Sequence, residues 1–190
     1  MEHTARPERR ASRRDRADLS VLPTEVTPEA FKTVFRNHPA GVAVITAAAQ
    51  DGPVALTATS VVSVSAEPPV LIFSLSTLSS ASSGIRAADT IVVHLLGERD
   101  APIARLCASS GVDRFANPMI WSSLTTGEPL FRGIDSWLRC RIIDRMDAGG
   151  STVVVAQAIQ VSTAEPSSQT SPLVYHNRAW HRLGEHSLLP

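Results

Sequence analysis

From Gly41 onward the chain is a succession of short β-rich runs, each cut off by turn residues before it can grow into a long element. GVAVITAAA runs into a turn at Gln50-Asp51-Gly52-Pro53; VALTA follows, then VVSVS, a turn at Glu67-Pro68-Pro69, and VLIFSLS. Strands spaced this closely leave no room for crossover helices, so they pair mostly antiparallel. TIVVHLL reads as a buried strand, SWLRCRII alternates as a strand, Asp147 to Gly150 is a turn, and STVVVAQAIQVSTA is a long strand. A loop from Glu165 to Pro172 leads to LVYH and AWHRL, two last short strands around Asn177-Arg178. Roughly seven or eight strands must hide their edges, and a closed or partly closed antiparallel barrel does so.

Helices flank these strands. Thr27-Pro28-Glu29 is a helix start: the hydroxyl accepts from an orphan amide, proline tolerates the first helical position, and an acid there suits the dipole. Phe31, Val34, Phe35 and His38 then fall on one face, expected to pack on a sheet, and Pro39 and Gly41 end the helix. A Ser-rich stretch from Ser79 to Asp89 reads as a short helix, and Asp100 to Ala108 as a helix capped by Asp100 with Pro102 in its first turn. Residues 109 to 134 read as irregular.

The 190 residues are 43% hydrophobic and 19% charged with a formal net charge of zero, a composition able to bury a core. One domain, residues 25–190, is expected behind a disordered Arg-rich tail, residues 1–24, whose large apolar side chains are too few to offset ordering. Lys32 is the sole lysine, so no Gly-Lys-Ser/Thr phosphate loop exists and any lysine chemistry would rest on that residue. Cys107 and Cys140 stand far apart with no second cysteine near either, which excludes zinc ribbons and Cys-x-x-Cys redox motifs. The six histidines show no metal-ligand spacing, and no G-x-G-x-x-G dinucleotide motif occurs. Neutral charge without a basic, aromatic-interleaved stripe argues against nucleic acid, and the lack of a long apolar run argues against a membrane span. A cytoplasmic location is the default expectation.

The richest stretch is LTATSVVSVSAEPPVLIFSLSTLSS. It sets the hydroxyls of Thr57, Thr59, Ser60, Ser74, Ser76, Ser79 and Ser80 beside two apolar strands. Hydroxyls and free amides near a helix start bind anions without lysine, phosphate above all; the competing reading is that they only line turns and strand ends.

The run from Phe31 through Leu183, about four fifths of the chain, resembles the flavin reductase component of two-component monooxygenases, the short FMN-binding split-barrel reductases. The matching pieces stand in family order: Pro39-Ala40-Gly41-Val42 and Val44-Ile45-Thr46; Leu56-Thr57-Ala58-Thr59-Ser60, Ser63-Val64-Ser65 and Pro68-Pro69-Val70; Ser79-Ser80 before Ile85; Val93-His94-Leu95-Leu96; Asp113-Arg114-Phe115; Trp137-Leu138-Arg139-Cys140; and Leu173-Val174-Tyr175-His176. The resemblance implies a mostly β fold with flanking helices, an antiparallel Greek-key split β-barrel, working as a homodimer. It also implies hydride transfer from NADH or NADPH to FMN or FAD and delivery of reduced flavin to a partner monooxygenase, with no catalytic acid, base or nucleophile required. By the same resemblance the backbone of Thr57, Ala58, Thr59 and Ser60 runs along the flavin ring and Ser79 and Ser80 lie near the phosphate. His94 and Leu95 border the flavin, and Arg114 and Phe115 fall in the cofactor region.

Two residues keep two readings each. His94 bonds the flavin or is a neutral core histidine bonded to a carbonyl, and His176, after Tyr175, faces the pocket or sits on the barrel rim. Trp121, Trp137 and Trp180 read as packing or dimer-interface residues. The chain departs from the family at Gly149-Gly150-Ser151-Thr152, where Gly-Asp-His-Thr is usual, at Ala156-Gln157, where Gly-Glu is usual, and at His94, where asparagine is usual. Ser151 retains one hydrogen-bonding hydroxyl at the position associated with nicotinamide. The departures keep alternatives open: a split-barrel flavoprotein that holds its flavin tightly and uses another donor, or a non-catalytic flavin carrier.

Overall fold

The computed structural model describes residues 25–163 and 170–190; the expected tail and most of the loop before Pro172 lie outside them. Among the described residues, those up to Phe35 and those from Arg36 onward fall into two units. In the first unit, helix α1 (Pro28–Arg36) starts as its sequence dictates, with Ala30 N–H donating to Thr27 Oγ1 at 3.2 Å. Phe31 and Phe35 touch with ring centroids 4.7 Å apart. The helix ends at Arg36, short of His38.

The second unit contains β1 (Ala40–Gly41), β2 (Ala43–Ala49), β3 (Gly52–Ala58), β4 (Val62–Ala66), β5 (Pro69–Ser76), α2 (Ser82–Ala87), β6 (Thr90–Leu95) and α3 (Ala101–Ala108). These are followed by β7 (Trp121–Ser123), β8 (Pro129–Phe131), β9 (Ser136–Ala148), β10 (Ser151–Ser162), β11 (Leu173–His176) and β12 (Ala179–Arg182). Seven strands form one antiparallel sheet in the order β3-β2-β6-β9-β10-β5-β4; β1-β11-β12 and β7-β8 form two smaller ones. Hairpins β2–β3, β4–β5 and β9–β10 are joined so that β6 returns beside β2 and β10 returns beside β5, the long-return connection of a Greek key.

The sheet is not closed: β3 and β4 are its two ends and share no ladder among the described residues. In the segment that joins these two strands, Ser60 Oγ accepts from Ser74 N–H of β5 at 2.9 Å and donates to Ser74 O at 3.4 Å, so one side chain ties the end of β3 to β5.

β2 explains why its sequence is apolar without alternation. Ala43, Ile45 and Ala47 enter one core cluster with Phe73, Leu75, Ile91, Val93 and Val154, while Val44 enters a second with Leu96, Ala104, Phe131 and Leu173. A strand buried on both faces has no polar face to show. Helix α2 lies on β2 and β3 at Gly84, where a Cβ would stand 3.0 Å from Ala49 Cβ and 3.1 Å from both Val54 methyls, tighter than ordinary packing. Asn177 and Arg178, with φ of 48° and 63°, turn β11 into β12 in the left-handed geometry that tight hairpins require.

The stretch read as irregular holds the β7–β8 hairpin, which is pinned to the large sheet from below. Glu128 accepts from Thr90 Oγ1 at 2.5 Å on β6 and pairs with Arg139 Nε at 2.7 Å on β9, and Thr46 Oγ1 donates to Pro129 O at 2.5 Å. Asp100 does not cap α3 with its side chain; Oδ2 accepts instead from Gly97 N–H at 2.8 Å, which closes the 3-10 turn before that helix.

Candidate functional site

β3 carries the site's long axis. It is the edge strand of the large sheet, and a cleft of about 120 Å³ opens beside its first half, lined by Pro53, Val54, Ala55, Ser80, Arg114 and Phe115 among others. The structure thus brings Ser80 and the Arg114-Phe115 pair, separate in sequence, to one place. Arg114 is held firmly there: Nε donates to Cys107 O at 3.2 Å and Nη2 to Ser109 O at 2.8 Å, where a cation at the end of α3 meets that helix's carbonyls. Asp113 also lines the cleft, but its Oδ1 is taken by Phe115 N–H at 2.9 Å. A hydroxyl and a guanidinium beside an apolar strand suit a phosphate-sized anion.

Thr57, Ala58, Thr59 and Ser60 follow on the same strand and the turn after it. Thr57 Oγ1 donates to Ala104 O of α3 at 2.6 Å and Ser60 Oγ is engaged with Ser74, so these two hydroxyls lock the strand. Ala58 is buried and Thr59 exposed. Ser76 Oγ accepts from Leu78 N–H at 3.3 Å, serving its own turn, and Ser79 is half-buried. Ser151 stands opposite Ser76 across β5 and β10, two positions from Val153, whose register partner Ser74 is the residue that Ser60 binds. The turn before it, with Gly149 at φ +61°, is fastened by Thr77, whose N–H and hydroxyl both donate to Gly150 O at 3.0 and 2.9 Å.

His94 resolves to its second reading. It is fully buried; Nδ1 lies 3.1 Å from Val44 O, and Phe131 N–H donates to Nε2 at 3.2 Å. A carbonyl only accepts and an amide only donates, so the proton sits on Nδ1 and no ring atom is left for a ligand. Burial, opposed only in part by the Val44 bond, lowers its pKa to about 4, so it is neutral at physiological pH. Leu95 next to it is 45% exposed and borders a cavity of about 340 Å³ with Gly97, Arg99, Asp100 and Asp135.

Tyr175 and His176 lie on the separate β1-β11-β12 sheet. Tyr175 meets Trp180 edge-on at 4.9 Å, and the His176 and His181 rings stand 5.7 Å apart. Cys107 and Cys140 are buried free thiols whose pKa burial pushes up to about 12, so neither is a nucleophile at neutral pH. Among the described residues no helix is long and apolar enough to cross a membrane, and no group of three or more His, Cys, Asp or Glu is placed to hold a metal ion. Pro53 to Ala55, Glu128 and Phe131 shape or support the cleft without having been singled out in the sequence, because no local pattern distinguishes them from ordinary strand and turn residues.

Residues 35–184 match the flavin reductase like domain. The chain is 38% identical over 162 residues to an NADH:FMN oxidoreductase of Rhodococcus erythropolis, covering 85% of this chain and 84% of that one. It is 26% identical over 155 residues to HsaB, the reductase subunit of a flavin-dependent monooxygenase of Mycobacterium tuberculosis, covering 82% of each. The crystal structure of a flavin reductase domain protein from Arthrobacter sp. FB24 superposes with a TM-score of 0.76 at 32% identity, over 82% of this chain and 95% of that chain. The open antiparallel barrel is therefore the split barrel of flavin reductases. The chain belongs to the flavin reductase like domain family.

Proposed function

We propose that the protein is an NADH-dependent flavin reductase that reduces FMN or FAD and supplies the reduced flavin to a partner monooxygenase. The observation that carries this reading is the alignment of two features on one edge strand. The Ser80–Arg114 cleft lies beside Pro53 to Ala55, and the Thr57–Ser60 backbone continues along β3. At about 3.3 Å per residue, Ala55 to Ala58 spans about 10 Å, the scale of a flavin from phosphate to ring. The residues present therefore fit the group: Ser80 and Arg114 would hold the phosphate, with Ser79 beside them, and the 57–60 backbone would face the ring. When bound, the flavin would supply the redox chemistry, as the acceptor of a hydride from the nicotinamide. The chain's part is to bind, orient and align the two partners, which accords with a site lacking an acid, base or nucleophile. The names of the Rhodococcus and Mycobacterium relatives support NADH as donor and a monooxygenase as recipient.

The same reading takes the working unit as a homodimer in the cytoplasm. Val62, Ile72 and Val155 are register neighbours across β4, β5 and β10, so their apolar side chains form one row on a sheet face where Val62, 54% exposed, lacks cover. Light scattering that returns a monomer mass would remove the dimer.

Anaerobic mixing of the protein with FMN or FAD and NADH, following loss of oxidised flavin absorbance, tests the activity. Multiple turnovers are expected. Tight flavin binding without bleaching would instead favour the carrier, or a flavoprotein with another donor, which the absence of an imidazole at Ser151 makes the relevant alternative. Replacing Ser80 by Ala and Arg114 by Gln together is expected to weaken FMN binding by about 1.5–3 kcal/mol, the worth of charge-assisted hydrogen bonds. Unchanged FMN affinity in a calorimetric titration would remove the phosphate assignment.

A further inference from the structure

The loop that carries Arg114 and Phe115 has no regular secondary structure, so the shape of the cleft depends on what holds Phe115. Its ring stacks on Phe131 with centroids 5.5 Å apart and planes 13° from parallel, and meets Trp121 edge-on at 5.0 Å. Trp121 Nε1–H donates to Phe115 O at 3.0 Å. Both partners belong to the β7–β8 hairpin, so the cleft wall inherits the hairpin's position. The hairpin is fixed at its Glu128 end by Thr90 and Arg139. At its Phe131 end the large sheet reaches it through His94, which accepts Phe131 N–H at 3.2 Å and lies edge-on to the Phe131 ring at 5.8 Å and 63°. His94 is itself oriented by the bond between its Nδ1–H and Val44 O.

We propose that His94 is a positioning residue for the cleft beside Ser80 and Arg114: it sets Phe131, Phe131 sets Phe115, and Phe115 sets the wall against which a flavin phosphate is held. This rests on the assignment of that cleft to phosphate. His94 touches no ligand in this scheme. Its contribution is the fixed distance between a rigid strand and an otherwise irregular loop, which a packed aromatic relay transmits because interiors of this density have little slack.

Two polar replacements separate the two ends of the imidazole. Asparagine places its amide where Nδ1 sits, so His94→Asn keeps a donor for Val44 O and loses the acceptor for Phe131 N–H. Glutamine reaches the Nε2 position, so His94→Gln keeps an acceptor for Phe131 N–H. The measurement is the dissociation constant for FMN and for riboflavin, which has the ring but no phosphate. His94→Asn is expected to raise the FMN constant about tenfold, the worth of one buried hydrogen bond, and to leave riboflavin unchanged. His94→Gln is expected to keep both. Should His94→Asn not fold, Phe115→Leu removes the stack on Phe131 and is expected to show the same FMN-selective loss.

Equal weakening toward both ligands, or none toward FMN, overturns the proposal in whichever variant is read. Ser80→Ala with Arg114→Gln tells this failure from failure of the phosphate assignment. If that double variant leaves the ratio of the two constants intact, the cleft does not hold the phosphate. If it collapses the ratio and the relay variants do not, His94 is a core residue only.

Discussion

Replacing Glu128 by Ala is expected to lower the free energy of unfolding by about 3–5 kcal/mol, the cost of breaking a buried ion pair from one side. Glu128 is 2% exposed, accepts from the hydroxyls of Thr90 and Thr126, and pairs with Arg139, itself only 17% exposed. Removing the carboxylate strands the guanidinium and two hydroxyls between β6, β9 and the β7–β8 hairpin. Burial pushes the Glu128 carboxyl up, but bonds from Thr126, Thr90, its own backbone amide and Arg139 outweigh it and hold the group below the usual carboxylate range. A carboxyl with a depressed folded-state pKa adds stability above its ordinary pKa and loses it as pH falls through the folded-state value. Urea titration checks the size of the effect, and a loss under about 1 kcal/mol would mean the network is dispensable. Replacing Glu128 and Arg139 together by Met should recover much of the loss, because no buried charge is then left unpaired.

The second large effect is acid destabilisation through His94. Unfolded, the imidazole titrates near 6.5; folded, it is held down to about 4. Between those values the unfolded chain binds a proton that the native one refuses, so stability is full above pH 6.5 and falls on acidification. The loss reaches roughly 3 kcal/mol at pH 4. The slope of unfolding free energy against pH over this window is expected to flatten in His94→Gln. An identical slope in the parent and the variant would assign the acid sensitivity elsewhere, with Glu128 the next group to test at lower pH.

Much of the frame was legible in the residues. Apolar runs separated by turn residues located β2 through β6, the β9–β10 hairpin and the β11–β12 hairpin, because a two-residue period and a tight turn are both local properties. The hydroxyl-rich 57–60 and 79–80 segments were visible for the same reason. The β7–β8 hairpin was not: three residues per strand, among Pro129, Gly127 and Gly133, carry no period to detect. The expected capping of α3 by Asp100 failed because a nearer donor, Gly97 N–H, competed for the same carboxylate. For His94 the residues left two readings standing. The choice between ligand contact and core support depends on Val44 O and Phe131 N–H, one on the neighbouring strand and one 37 positions away.

Residue type and short spacing were enough for the antiparallel strands and their turns, for the lack of zinc-ribbon and Rossmann motifs, and for the restriction of any lysine chemistry to Lys32. The tertiary structure decided which end of each strand meets which. It brought Ser80 and Arg114 to one cleft, tied the turn after β3 to β5 through one serine, and buried Glu128 and His94 as the two polar anchors of a hairpin. Those outcomes depend on contacts between segments far apart in the chain. Their energy comes from burial and from satisfying polar groups that have no partner until the whole sheet is assembled.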